Sequence, residues 1–162
     1  MNSKCDRERE CADLTLTADS YLDAARLVCE DMVGGWSDYD MRVVQHLVHL
    51  ALELFLKAGI VRAGANYPRS HDLTVLLREH DAVSEFRVKI PQFIQDKRGP
   101  ATDLFPDYES KALAKFDERL RYPVDREGRW WRDHTDDAPE SVLKDIDELS
   151  RQTTQFVLAI LG

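Results

Sequence analysis

The stretch HLVHLALELFLKAG, residues 46–59, is apolar except where His46, His49, Glu53 and Lys57 interrupt it at helical spacing. On an α-helix these four and Arg42 fall within one stripe roughly 80° wide. His46, His49 and Glu53 share a face at i, i+3 and i+7, and imidazole and carboxylate groups can together hold a divalent metal. A helix-borne metal site draws further ligands from a second helix. No such set is evident, so neither a metal nor another cofactor is expected. The plainer reading is a polar seam, with Glu53 and Lys57 paired at i, i+4 and the histidines hydrogen-bonded or facing solvent.

A second constellation lies at residues 119–134, RLRYPVDREGRWWRDH, with five arginines, two tryptophans and a tyrosine. Guanidinium groups present forked donors to phosphate, and aromatic faces stack on unpaired bases. Arg121, Tyr122, Arg126, Trp130, Trp131 and Arg132 are therefore candidate contacts to a nucleotide or RNA. A structural role stays open: Glu118, Asp125, Glu127 and Asp133 can pair with the arginines, and either tryptophan can anchor the loop.

Helices must position both constellations. Residues 1–16 are charged and show no sustained period, which predicts a flexible N-terminal arm. From Thr17, the residues Tyr21, Ala25, Val28 and Met32 fall on one helical face. Thr17 or Asp19 can cap this helix, and Gly34-Gly35 ends it. A second helix is expected from Asp38 or Asp40 to about Arg62. Ser70-His71-Asp72-Leu73 resembles a cap with an acid in the first turn, opening a short helix to about His80. A segment from Val83 to Lys97 is broken or kinked at Pro91. Lys97-Arg98-Gly99-Pro100 reads as a turn. Asp107 caps a helix from Tyr108 to about Leu120, which Pro123 stops. Pro139 occupies a first-turn position, and the closing helix carries the stripe Val142, Ile146, Leu149, Thr153, Phe156, Val157 and Ile160. No segment alternates with period two. The expected class is all-α, an up-and-down bundle of four to five main helices.

Composition sets the outer limits. The chain has 162 residues, a formal charge of -8 and a hydrophobic fraction of 43%. That length suits one folded domain, expected over residues 17–162. An acidic chain does not attract nucleic acid through its overall field, so binding requires a local basic patch. Cys5, Cys11 and Cys29 are odd in number and lack a C-x2-C spacing, which points to reduced thiols and a cytoplasmic setting. No secretory signal opens the chain, and no apolar run reaches the roughly 18 residues of a membrane span.

Glu53-x3-Lys57-Ala58, a loop with Gly64 and Pro68, and Ser70-His71-Asp72-Leu73 opening the next helix together resemble the HEPN family of helical domains. Arg121-Tyr122-Pro123, followed by a long amphipathic closing helix, fits the same order. The resemblance covers residues 17–161. It implies a helical bundle, frequent homodimers, and association with RNA or nucleotides. It also implies membership of toxin–antitoxin or defence systems, in which some members accompany small nucleotidyltransferases. In such a fold Glu53 and Lys57 can meet His71 and tie the second helix to the third. Alternatively, His71 completes the cap. Both roles rank ahead of catalysis for this residue.

Nuclease members of that family carry an arginine separated from a histidine by four to six residues. The histidine moves a proton at the ribose 2′-hydroxyl or the leaving oxygen, and the arginine steadies the charged phosphorane, without a metal. Two pairs match here. Arg42-x6-His49 lies too early in the chain. Arg129-x4-His134 lies in the right region, but Trp130 stands where a small polar residue is favoured, and the stretch reads as loop. The leading expectation is a HEPN-type module that binds nucleotide or RNA. A metal-independent endoribonuclease using Arg129 and His134 and a non-catalytic dimerisation module are the alternatives.

Overall fold

The computed structural model describes residues 4–35, 38–95 and 138–161. These form α1 (Lys4–Met32), α2 (Asp38–Arg62), α3 (Leu73–Val83), the single turn α4 (Gln92–Gln95) and α5 (Pro139–Leu161). The fold is an all-α bundle, and no strand occurs among the described residues. The turn expected at 97–100, the helix expected at 108–120 and the whole arginine-aromatic stretch lie outside the described residues.

α1 begins well before Thr17, so the residues read as an arm are helical from Lys4 onward. The reason is a buried stripe that continues through Cys11, Thr15, Ala18, Leu22, Ala25, Cys29 and Met32. Its steps of four and three match the 3.5-residue spacing of a helix–helix seam. In the first half the stripe is built from Cys, Thr and Ala, small residues that give little hydrophobic signal. The buried face also differs from the one expected: Leu22 and Cys29 are fully buried, whereas Tyr21 and Val28 are only partly so. Thr17 caps nothing; its hydroxyl donates to the Asp13 carbonyl within the helix.

α2 is the central helix and packs against α1 and α3. Residues Ala51–Glu53 and Phe55–Val61 are all buried. It is long and apolar enough to cross a membrane by length and composition, but most of its surface is covered by the protein itself. Its end is a Schellman turn. The Ala65 N–H donates to the Ile60 carbonyl at 3.1 Å and the Gly64 N–H to the Val61 carbonyl at 2.9 Å. Gly64 has φ of 83°, which favours glycine.

Asp72, rather than Ser70, is the N-cap of α3; its carboxylate accepts from the N–H groups of Thr74 and Val75. Ser70 sits two residues outside, accepting from the Asp72 N–H. After α3 the chain runs without helix to Pro91, which precedes α4 as its fixed φ and missing N–H favour. The Lys89 N–H donates to Gln152 at 2.8 Å and holds this strap on α5. On α5 the expected stripe is buried at Val142, Ile146, Leu149, Thr153 and Phe156. Phe55, Phe86 and Phe156 meet edge to face with centroids 5.3–5.8 Å apart, joining α2, the strap and α5. Arg62 spans the same junction, donating to the carbonyls of Phe156 and Ala159 near the end of α5.

α3 approaches the α2 backbone closely at Gly59. A Cβ added there would lie 2.5 Å from two atoms of the His80 ring. Gly59→Ala is therefore expected to destabilise the protein by about 1–3 kcal/mol through overpacking. Alanine's better helix propensity, worth about 1 kcal/mol, opposes this without cancelling it. Chemical denaturation of Gly59→Ala, His80→Ala and the double variant tests the contact. The double variant should lose less than the sum of the singles.

Candidate functional site

The seam predicted on α2 forms a charged chain that ends at the surface. Glu53 is 4% exposed, and its carboxylate accepts from Lys57 Nζ at 2.6 Å. The His71 Nδ1 lies 3.0 and 3.1 Å from the two carboxylate oxygens. Because Glu53 is the acceptor, the proton belongs on Nδ1, which fixes the tautomer. Burial pulls the Glu53 pKa up. The hydrogen bonds and charges of Lys57 and His71 outweigh it and hold the carboxyl below its usual range. Glu53 thus contributes stability above its ordinary pKa, and that contribution is lost as pH falls through the lowered folded value.

The network extends further. Lys57 Nζ lies 5.4 Å from the centroid of the Tyr67 ring, and the Tyr67 hydroxyl donates to Glu10 on α1 at 3.1 Å. Arg7 also reaches the loop, donating to the Gly64 carbonyl. The loop between α2 and α3 is therefore pinned from α1 and from α2. His71 ties α2 to the start of α3, while the cap belongs to Asp72 and Ser70. Its imidazole remains 61% exposed, oriented by a buried carboxylate.

The other seam residues stand apart from this cluster. His49 is fully buried and His46 half-buried. Burial keeps His49 out of reach of an RNA phosphodiester, which sets aside the Arg42–His49 pair as a nuclease centre. Among the described residues no group of three or more His, Cys, Asp or Glu side chains is arranged to hold a metal ion. Cys11 and Cys29 are buried, and burial pushes both thiols up, away from the reactive thiolate; Cys5 is exposed. Arg121, Tyr122, Arg126, Arg129, Trp130, Trp131, Arg132 and His134 lie outside the described residues.

Two of the surface clefts are bordered by described residues. One, of about 360 Å³, lies between α1 and Tyr67 and is bordered by Asp6, Glu10 and Asp13. Its carboxylates outnumber its one arginine, Arg9, and repel phosphate. The other, of about 480 Å³, is bordered by Gly59, Arg62, Val83, Ser84, Phe86 and Phe156. Behind it sits a residue that sequence reasoning missed. His80 is 0% exposed, with Nδ1 3.1 Å from the Asp81 carboxylate and Nε2 without a hydrogen-bond partner among the described residues. The available signal was its place four residues after Leu76, on the buried face of α3.

The HEPN domain family matches residues 12–154, and the chain belongs to that family. The match begins inside the part of α1 that reads as an arm from sequence alone. Comparison with curated proteins and with solved structures gives no match.

Proposed function

We propose that this protein is a HEPN-type module that binds nucleotide or single-stranded RNA through residues 119–134. The observation that carries the reading is the local charge reversal. Five arginines with two tryptophans and a tyrosine face three carboxylates in that stretch, on a chain of net charge -8. Membership of an RNA-associated family supports it, and so does the acidic border of the α1 cleft, which is unsuited to phosphate. Arg121, Tyr122, Arg126, Trp130, Trp131 and Arg132 are the proposed contacts.

The module acts as a cytoplasmic homodimer, and its proposed protein partner is a small nucleotidyltransferase of a toxin–antitoxin or defence pair. Sedimentation at micromolar concentration should give twice the chain mass; a monomer across all concentrations contradicts the dimer.

A second reading rests on Arg129-x4-His134, the spacing of metal-independent HEPN ribonucleases. If His134 is the acid or base, RNA cleavage survives a chelator and is abolished in His134→Ala, while RNA binding is largely kept. Wild-type protein that binds RNA and never cleaves it leaves the binding module standing and removes the nuclease.

A further inference from the structure

α3 is held on α2 by a histidine at each end, one at the surface and one enclosed. At its start, His71 Nδ1–H donates to the Glu53 carboxylate at 3.0 Å. Near its end, His80 is enclosed. Its Cδ2–Nε2 edge lies against the α-carbon of Gly59, so close that a Cβ there would lie 2.5 Å from both atoms. Nδ1 is satisfied by Asp81, and Nε2 has no acceptor among the described residues. Only the neutral ring, with its Nε2 lone pair toward Gly59, fits this socket. A second proton would place an unpaired N–H donor against a helix backbone.

We propose that α3 is a proton-sensitive lever, hinged at His71–Glu53 and latched by His80 in the Gly59 socket. Acidification releases the latch end and widens the cleft beside Val83, Ser84 and Phe86. The charged groups facing His80 are Asp81 and, from the strap after α3, Arg87, which lies 3.8 Å from the Asp81 carboxylate and weakens its hold. From α2 the ring meets Gly59; Arg62, one turn on, is engaged by the carbonyls of α5. Glu85 borders the cleft as well.

The sign follows from these contacts. Burial pushes the His80 pKa down, and this outweighs the upward pull of Asp81. The released helix binds the proton more tightly than the latched one. Latching is therefore complete above the ordinary histidine value of about 6.5, and it is lost as pH falls from there through the folded value.

Amide hydrogen exchange in the full chain, corrected for intrinsic rate, tests the lever. Between about pH 7.5 and about pH 5.5, opening at Asp81–Ser84 should rise relative to Leu76, near the hinge, by up to about tenfold. In His80→Phe, which keeps a ring in the socket without a titrating nitrogen, the rise should vanish. Equal opening at both ends, no pH dependence, or an unchanged rise in His80→Phe would each overturn the proposal. If His80→Phe does not fold, the wild-type His80 ring signal decides. A titration midpoint below about 6.5 that tracks the amide changes supports the lever, and a midpoint at or above that value overturns it.

Discussion

Glu53→Ala should destabilise the protein by about 3–5 kcal/mol, because it leaves the Lys57 ammonium buried without its counter-ion. The Lys57 side chain is 11% exposed, and the nearest compensation is the face of Tyr67 at 5.4 Å. A charged lysine in that position carries a desolvation cost that nothing else among the described residues offsets in full. The same substitution frees His71 and loosens the start of α3. Replacing both partners, as Glu53→Leu with Lys57→Met, should recover most of the loss, since a buried ion pair is often no more stabilising than apolar residues of similar volume. Urea denaturation of the single and double variants measures this. A loss in Glu53→Ala below about 1 kcal/mol would mean that the pair is effectively solvated, as surface pairs are.

What the sequence revealed of this network depended on local periodicity. The i, i+4 pair on α2 was legible because one helix fixes its geometry. His71 was legible as a partner through the order of family motifs, since no periodicity carries across a turn. The N-terminal half of α1 was not legible. Its buried face runs through Cys11, Thr15 and Ala18, which pack closely on α2 but carry too little apolar surface to register as a stripe. The cap shifted from Ser70 to Asp72 because both residues suit a cap, and only the backbone decides which one accepts the first helical N–H groups. His80 was missed for a different reason. Its socket is made by the absence of a side chain at Gly59, a feature defined only by the packing of α3 on α2.

The second large effect is expected at residues 119–134. Arg129→Ala and Trp130→Ala should each weaken binding of single-stranded RNA, the tryptophan by about 1–3 kcal/mol if it stacks on a base. The two losses differ in kind. As a proposed phosphate contact Arg129 would contribute through charge, so its removal should also make binding less sensitive to salt. As a proposed stacking partner Trp130 would contribute through its ring, so its removal should leave the salt dependence unchanged. In a homodimer two such stretches would bring ten arginines to an otherwise acidic protein, enough for a composite groove. If the substitutions lower thermal stability and leave RNA affinity unchanged, the stretch is part of the scaffold and its arginines are paired within the protein.

The central claim is that this acidic helical module carries a nucleic-acid surface of its own. Titration of fluorescently labelled single-stranded RNA with the wild-type protein, at low and at physiological salt, tests it most directly. Binding should saturate and weaken steeply with salt as phosphate contacts release counterions. Absence of binding to RNA or to nucleotides at low salt, from a folded protein, would contradict it.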